Sequence, residues 1–589
     1  MNPTTPRNDP AGLRTEVREL QARPEASVVI IGGGINGIAT FRDLALQGVD
    51  VVLVERDDFV SGASSASSHM IHGGIRYLEN GEFRLVQESV VERNGLLKIA
   101  PHVVKPLQTT VPIFSTFSGI LSAPLRFLSH RQGKPTERGA LLIKTGLTIY
   151  DAFSRDGGTV PRHRFHGRSR SLAELPALNP DLKYTATYYD ASMHDPERLA
   201  LDALRDGLAA GPHARAANHL EAVGLGAAGV RVRDRETGAE FDLASEVVVN
   251  ASGPWTDLTN AALGRPTTYM GGTKGSHIVL DHPELLAATG GREIFFEHED
   301  GRIVLIYPLH GRVMVGTTDL EHDLREPAVC TEEEVDYFFD LVRHVFPAVE
   351  VDRAQIVYRF SGVRPLPRHD DTQPGFVSRD YRIERTDVPE RPGTTMLSLV
   401  GGKWTTFRAL AEHLSNEVLG LLGRERVRST EGLAIGGGAG YPATEAGRAD
   451  WAVAHGEEIG RDRAAVLLDR YGTRAAELIA ELERAEAFAG FGDADEPDAP
   501  LAHHPGYTRA EIAWLVRTER VVHLLDLVQR RTAIAFTGAA TAPLLDELAD
   551  IAGDVLGWDA ERRDAEAAEA RRVLAERHGV SFGAVELLR

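Results

Sequence analysis

The sequence has a single cysteine, Cys330, among 589 residues. One thiol excludes an intramolecular disulfide framework, a cysteine-based zinc site, an iron–sulfur cluster and a CxxC redox pair. Lysine is also scarce, since seven of the 65 cationic residues are lysines and 58 are arginines. No uncharged apolar run reaches the roughly 18 residues that a bilayer-spanning helix needs, so none is predicted.

Basic residues are outnumbered by acidic ones, 65 to 85, which gives a formal net charge of −20. A field of this sign repels phosphate backbones and argues against nucleic acid as a partner. Residues 1–25 contain no apolar core of a secretory signal, and we expect them to form a flexible extension. With the single thiol, this predicts a reducing, cytoplasmic location.

A dinucleotide fingerprint follows the first apolar segment. The strand predicted at Ser27–Ile31 leads into GGGING at 32–37, then into a helix over Ile38–Gln47 and a second strand over Val51–Glu55. In such a unit the first glycine allows the tight turn, the second admits a pyrophosphate and the third lets the helix pack on the sheet. The helix N-terminus attracts phosphate. A carboxylate at the end of the second strand suits ribose hydroxyls. These roles are predicted for Gly32, Gly34, Gly37 and Glu55.

The next segment, SGASSASSHMIHGGIRYLE at 61–79, is rich in serine and glycine. Its hydroxyls are able to donate to phosphates or to a flavin ring. The fingerprint alone leaves FAD and NAD open, and a serine-rich stretch is also compatible with an exposed turn. A loop of small residues at this position, in place of another strand–helix unit, favours FAD.

The rest of the chain divides by composition. Strands are predicted at 229–233, 246–250, 277–280, 302–307, 313–317 and 397–400, mixed with helices. The glycine run Gly436–Gly440 indicates a linker. Beyond it the pattern is helical, which predicts a separate all-α domain.

An ordered series of motifs then resembles one known family, the FAD-dependent glycerol-3-phosphate dehydrogenases, which are D-amino-acid-oxidase-like flavoproteins. The resemblance covers about residues 26–555. Besides 28–102, it rests on VVNASGPWTD (248–257), KGSHIVL (274–280), VGTTDLE (315–321), FSGVRPL (360–366), SRDY (378–381), GGKWTTFRALAEH (401–413) and TRAEIAWLVRTERVVHLLDLVQRRT (508–532).

The resemblance implies an α/β plus α+β fold with a discontinuous Rossmann-like FAD domain, a mixed-sheet substrate domain and an all-α C-terminal domain. It also implies oxidation of sn-glycerol 3-phosphate to dihydroxyacetone phosphate, by hydride transfer to flavin N5, with electrons passed to a membrane quinone. The expected boundaries are 26–105, 185–265 and 351–425 for the FAD domain, 106–184 and 266–350 for the substrate domain, and 441–589 for the helical domain.

Site roles are implied residue by residue. His72 is the expected base, because histidine has a pKa near the operating pH, and His277 stays open as the alternative or as a substrate ligand. Arginine forks suit phosphate. Arg364 and Lys403 are expected to take part in catalysis with His72, and the substrate-binding residues are Arg76, Tyr77, His277, Arg364 and Arg379.

FAD is the expected cofactor, and no metal site is predicted. Lys403 is expected to start a helix whose amides stabilise negative charge on the reduced flavin, and Lys274 attracts notice as the other lysine inside a family motif. The predicted FAD-binding residues are Gly32, Gly34, Asn36, Gly37, Glu55, Ser64, Ser65, Ser68, Gly73, Gly253, Gly402, Lys403 and Thr405.

Partner and alternative assignments complete the predictions. Residues 111–131, apolar with basic flanks, are either a buried segment or an interfacial patch. The second reading gives peripheral contact with the inner face of the plasma membrane. A homodimer is a further prediction. The alternative functions are a glycerol-3-phosphate oxidase that reduces O₂ to hydrogen peroxide, another amine or hydroxy-acid oxidase, and a non-catalytic flavoprotein.

Overall fold

The computed structural model describes most of the chain. The described residues are 14–74, 83–114, 161–298, 302–368, 380–388, 393–482 and 498–582, together with 143, 144, 147, 151 and 391.

The strands within these residues are numbered in chain order. They are β1 (Val28–Ile31), β2 (Val51–Val54), β3 (Met70–Ile71), β4 (Val104–Ile113), β5 (Arg164–Gly167), β6 (Tyr184–Met193), β7 (Ala214–Ala217), β8 (Leu220–Leu225), β9 (Val230–Asp234), β10 (Glu240–Leu243), β11 (Val247–Asn250), β12 (Thr273–Leu280), β13 (Glu293–Glu297), β14 (Ile303–Leu309), β15 (Arg312–Gly316), β16 (Leu320–Glu321), β17 (Ile356–Val363), β18 (Arg382–Asp387) and β19 (Thr395–Val400).

The helices are numbered in the same way. They are α1 (Thr15–Ala22), α2 (Ile35–Leu46), α3 (Phe83–Ile99), α4 (Arg168–Glu174), α5 (Pro196–Ala209), α6 (Thr256–Ala262), α7 (Pro283–Ala288), α8 (Glu332–Val345), α9 (Phe407–Leu421), α10 (Glu445–Ala454), α11 (Arg461–Tyr471), α12 (Ala475–Leu482), α13 (Arg509–Thr518), α14 (Leu524–Asp526), α15 (Ala542–Leu556) and α16 (Ala560–His578).

The first sheet has six strands in the order β18–β19–β11–β1–β2–β7, all parallel except β18. β1 and β2 are short runs of valine, isoleucine and leucine, and β11 is a run of three valines that ends in Asn250. All three are buried throughout, which is typical of a parallel sheet covered on both faces. Helices α2, α5 and α9 pack on one face, and the sheet β8–β9–β10 covers the other. The predicted strand–helix–strand unit is confirmed, although α2 begins at Ile35 and not at Ile38.

The second sheet is large and mixed. Its order is β16–β12–β15–β14–β13–β4–β6–β3, with β17 on β12 and β5 on β6, and β13 runs parallel to β4. One face packs on α8, and the other contributes Tyr307, Met314 and Phe360 to the core that it shares with the helical domain. The predicted fold class, a parallel sheet, a mixed sheet and a helical C-terminal domain, is confirmed.

Two expected domain boundaries fall in the wrong place. β6, assigned to the FAD domain by the boundary at 185, pairs with β4 from end to end. β17, assigned there by the boundary at 351, pairs with β12. Both strands therefore belong to the large sheet. Their apolar patterns suit either sheet, and pairing with partners distant in sequence decides between them.

The glycine run 436–440 is not a loose linker. Gly436–Gly438 forms a 3-10 turn in which Gly437 and Gly438 are buried. A Cβ on Gly437 would overlap the Tyr471 carbonyl oxygen, and one on Gly438 would overlap that of Ile99. The glycines therefore allow close backbone packing between the helical domain and α3.

The flexible extension predicted for residues 1–25 is wrong for its second half. Residues 15–22 form α1, with Val17 and Leu20 buried. Arg14 forms a buried ion pair with Asp234, at 3.1 Å. Two apolar contacts and a long-range ion pair fix this helix, and none of them is visible in the local sequence.

A buried ion-pair cluster joins the loop after β2 to the helical domain. The two oxygens of Asp58 accept hydrogen bonds from Arg531 at 2.6 and 2.8 Å, and Arg530 also binds Asp58. Burial opposes the charge of Asp58, but Arg531 and Arg530 hold the pKa of Asp58 below its ordinary value. His219 and Asp526 lie beside it, in a spacing that resembles a metal site. Because the arginines occupy its carboxylate, the cluster is a salt-bridge network.

Among the described residues, no helix has both the length and the apolar character needed to cross a bilayer. Residues 115–131 of the segment predicted to face a membrane lie outside the described residues. Ile113, at the end of β4, is buried.

Asp58→Asn should loosen the helical domain. The substitution leaves the buried Arg531 guanidinium without its carboxylate, and breaking a buried pair in this way costs about 3–5 kcal/mol. Native-state hydrogen exchange of residues 524–531 should show opening easier by this amount. The control is Glu569→Gln at the half-exposed pair with Arg572, expected to cost at most about 1 kcal/mol. Equal effects of the two variants would contradict a central role for the cluster.

Candidate functional site

The glycine turn brings the backbones of β1 and α2 into contact. Gly32 has φ +112°, a left-handed conformation that side chains disfavour. A Cβ on Gly37 would overlap the Gly32 carbonyl oxygen, so only glycine allows this approach. Gly34 caps α2 in an extended conformation. The turn therefore directs the N-terminal amides of α2 toward the ends of the strands, which is an anion site.

Glu55 lies directly beside this turn. Its carboxylate accepts hydrogen bonds from Gly33 N at 2.6 Å and from Asp57 N at 2.9 Å. Burial raises the pKa of Glu55 despite these two bonds. The carboxylate thus braces the turn at the strand end, where the sequence predicts a contact with ribose.

The serine loop closes over the start of α2 and reaches the large sheet. Ser64 Oγ accepts a hydrogen bond from Ile35 N at 3.0 Å, while the Ser64 carbonyl accepts one from Trp404 Nε1 at 3.0 Å. Ser65 Oγ donates to the Gly62 carbonyl and stays within the loop. Ser68 Oγ lies 3.0 Å from His277 Nε2. The loop therefore connects the two ends of the predicted site.

A second part of the predicted site lies at the start of α9. As predicted, a helix begins after Lys403, first as the 3-10 turn Trp404–Thr406 and then as α9. Lys403 Nζ donates to Ser89 Oγ at 3.0 Å, and Thr405 Oγ1 donates to the His72 carbonyl at 3.2 Å. The first bond ties Lys403 to α3, and the second holds the loop that carries His72 against the start of α9.

The opposite end of the site lies on the large sheet. His277, on β12, stacks on Phe360 of β17 with ring centroids 4.7 Å apart. A Cβ on Gly316 would overlap the His277 ring, and one on Gly275 would overlap the guanidinium of Arg364. The glycines therefore leave room for both side chains on one face. Burial, with Arg364 nearby, lowers the pKa of His277 well below its ordinary value, so the ring is neutral.

Arg364 follows β17 and is fixed by the motif at 315–321. Its guanidinium donates to Asp319 Oδ1 at 2.9 Å, to Thr317 Oγ1 at 3.1 Å and to the Thr318 carbonyl at 2.8 Å. About a quarter of the side chain is exposed. The arginine is thus held in a fixed orientation while keeping access to solvent. The acceptors Asp319 and Thr317 are not among the predicted site residues, although both lie inside the motif VGTTDLE.

The remaining predicted residues fall into two groups, those that the structure describes and those that it does not. Gly73 N donates to Asp190 Oδ1 at 2.9 Å, which orders the backbone after His72, and Gly253 begins a 3-10 turn at the end of β11. Arg76, Tyr77 and Arg379 lie outside the described residues.

Lys274 has a structural role. Its Nζ donates to Glu334 Oε2 at 2.8 Å and to the Val329 carbonyl at 2.7 Å. Glu334 also accepts from Ser276 and Thr318. The lysine thus ties β12 to α8, away from the face that carries His277.

Three buried polar atoms indicate that a polar molecule completes the site. Within the described residues, Asn36 Oδ1, Thr406 Oγ1 and His277 Nδ1 have no hydrogen-bond partner. Asn36 starts α2 next to Gly402, Thr406 precedes α9, and His277 is on the large sheet. A buried polar group without a partner is costly. FAD carries phosphates for the α2 terminus, and hydroxyl, carbonyl and ring-nitrogen groups that are able to pair with such atoms, so the residues present fit FAD.

Comparisons with known proteins give the same assignment. Residues 27–416 match the family described as FAD dependent oxidoreductase, and residues 393–563 match the C-terminal domain of alpha-glycerophosphate oxidase. A glycerol-3-phosphate dehydrogenase of Synechocystis sp. is 32% identical over 91% of this chain and 94% of its own length. A D-erythritol 1-phosphate dehydrogenase of Brucella abortus is 34% identical over 66% of this chain and 73% of its own.

Among solved structures, the glycerol-3-phosphate dehydrogenase of Bacillus halodurans, complexed with FAD, superposes with a TM-score of 0.71. The alignment covers 95% of this chain and 97% of that one at 22% identity, which shows the fold. The family resemblance predicted from the motifs is confirmed, and so is FAD as the cofactor.

Gly37→Ala should weaken FAD binding at least about tenfold, or about 1.4 kcal/mol, because the added methyl separates α2 from β1. The measurement is the ratio of bound flavin to protein, from visible absorbance after dialysis. Gly95→Ala is the matched control, since nothing lies within 4 Å of a Cβ at this position in α3. A normal flavin content in Gly37→Ala would contradict the assignment of the glycine turn.

Proposed function

Because the chain belongs to the FAD-dependent oxidoreductase family, we propose that it oxidises sn-glycerol 3-phosphate to dihydroxyacetone phosphate. Bound FAD supplies the hydride acceptor for such an oxidation. The observation that carries the proposal is the pairing of a fixed, partly exposed arginine, Arg364, with the neutral His277 on one face of the large sheet. The dehydrogenase from Synechocystis sp., similar over nearly its whole length, supports the same substrate.

The phosphate of the substrate would bind Arg364. A guanidinium matches the geometry of a phosphate and keeps its charge at all working pH values. Asp319 and Thr317 hold it in one direction, so little side-chain freedom is lost on binding. In a chain with a net charge of −20, a cation in the site also attracts an anionic substrate. Arg76, Tyr77 and Arg379 are proposed to complete the substrate pocket.

The hydroxyl proton would pass to His72. Its loop is held by Thr405 and, through the next residue, by Asp190. His277 is proposed to orient the substrate through its neutral ring and to remain the alternative base. Lys403, at the start of α9, would stabilise negative charge on the reduced cofactor.

Glycerol 3-phosphate should bleach the flavin of the anaerobic holoenzyme, and His72→Asn should slow this reduction by about 10²-fold or more. Stopped-flow absorbance measures the rate. His413→Asn, at an exposed histidine, is the control and should behave as wild type. An unchanged rate in His72→Asn would remove it from the role of base. Faster bleaching by D-erythritol 1-phosphate would instead move the substrate assignment toward the Brucella relative.

A membrane quinone is the proposed electron acceptor, with peripheral contact at the inner face of the plasma membrane and a cytoplasmic location. The relatives named dehydrogenases favour an acceptor other than O₂, and the C-terminal match to an oxidase domain supports the alternative, O₂. The same stopped-flow experiment separates them: mixing reduced enzyme with a soluble quinone should reoxidise it much faster than air-saturated buffer does. The homodimer stays a prediction.

Arg364→Ala should raise the KM for glycerol 3-phosphate about 10- to 100-fold, the range for losing a charge-assisted hydrogen bond. The KM for unphosphorylated glycerol should change little, because that molecule has no phosphate to bind. Arg325→Ala, at a largely exposed arginine, provides the control. An equal loss with glycerol would contradict the phosphate assignment.

A further inference from the structure

The helical domain touches the large sheet close to His277. The residues after the π-helical turn Leu527–Arg531 contact β15 and β17. Arg312 Nε, at the start of β15, donates to the Thr537 carbonyl at 2.9 Å. A Cβ on Gly538 would overlap the side chain of Val357, at the start of β17. This segment is therefore packed tightly on the face that carries the site.

Phe536, in the same segment, extends this contact toward the site. Its ring centroid lies 5.4 Å from that of His69 and 6.4 Å from that of Phe360. His69 in turn meets Phe360 edge to face at 6.4 Å. Phe360 is the ring on which His277 stacks, with only 11° between the two planes. One phenylalanine of the helical domain thus packs against two of the rings that surround His277.

His69 connects this contact to the serine loop. It follows Ser68, the residue whose Oγ lies 3.0 Å from His277 Nε2. His69 has φ +54°, which is unfavourable for a residue with a side chain and persists only when its surroundings hold it. Its Nδ1 lies 3.1 Å from the His194 carbonyl. Removing the ring that packs on His69 would release this conformation and displace Ser68.

We propose that Phe536 is a positioning residue: it holds Phe360 and His69, and through them the orientation of His277 and Ser68 at the substrate end of the site. The inference rests on the proposed function for its catalytic consequence. The helical domain would thereby contribute to the reaction without supplying a group that touches the substrate.

The environment of His277 provides a readout that a purely structural role would not change. Arg364 and His69 are the charged and titratable groups acting on His277, and burial is the main cause of its lowered pKa. His69 is neutral too, because burial lowers its pKa to about 4. Opening the packing of Phe536, His69 and Phe360 would admit water and move the pKa of His277 up toward its ordinary value, about 6.5.

The experiment compares Phe536→Ala and Phe536→Leu holoenzymes with wild type. Phe536→Ala should slow flavin reduction by glycerol 3-phosphate about tenfold or more, with an added limb near pH 6 to 7 in its pH profile, whereas Phe536→Leu should recover most of the rate. In a chain that already carries His277→Asn, Phe536→Leu and Phe536→Ala should each change the rate less than about twofold, since coupled residues are not additive. Trp558→Leu, at another aromatic of the helical domain, is the control.

A second measurement needs no substrate. NMR of the holoenzyme with labelled histidine rings, with His277→Asn identifying the signal, should show no titration of His277 between about pH 5 and 8 in wild type. Titration should appear in Phe536→Ala, or to a smaller extent in Phe536→Leu if the alanine variant does not fold. Wild-type enzyme that glycerol 3-phosphate fails to reduce would overturn the proposed function. An unchanged His277 signal, additive rates, or an equal loss in Trp558→Leu would overturn the positioning role.

Discussion

The contact between the backbone of Gly37 and the carbonyl of Gly32 determines where everything else in the site lies. Because α2 rests directly on the end of β1, its N-terminal amides meet the strand ends, and Glu55 and Ser64 both bond to the amides of this turn. The serine loop continues from there to Ser68 and so to His277 on the other sheet. A displacement at the glycine turn would therefore change the distance between the cofactor's phosphate end and the substrate end.

Local patterns were sufficient to predict the first sheet but not the assignment of every strand. Valine and isoleucine runs separated by a glycine turn indicate a buried parallel unit at β1, α2 and β2, whatever surrounds them. β6 and β17 carry apolar patterns that fit either sheet, and only their partners, β4 and β12, decide. In the same way, α1 is fixed by the burial of Val17 and Leu20 and by the pair of Arg14 with Asp234, more than two hundred residues away. Such long-range pairings leave no trace in a short window of sequence.

In the candidate site, too, local patterns predict some features and long-range contacts decide the others. Motifs predicted that His277 and Arg364 matter, and the structure brings both to one face of the large sheet. Their partners Ser68 and Asp319 come from distant segments, so the sequence predicts the residues but not the contacts. Lys274 illustrates the opposite error. Its rarity and its motif drew attention to it, yet it forms a buried pair with Glu334 that ties a strand to a helix. Rarity of a residue type does not distinguish a binding group from a structural one.

The salt-bridge network around Asp58 bears on how this chain can be divided or recombined. If a helical domain contacted the rest of the chain only through apolar surface, its deletion would expose an aggregation-prone apolar patch but no uncompensated charge. Here deletion would remove the two guanidinium groups, of Arg530 and Arg531, that compensate the charge of Asp58. The domain is thus not a portable module. A shortened gene, or a chimera joining this first half to a foreign tail, would need a matching substitution at position 58 to avoid an unpaired carboxylate.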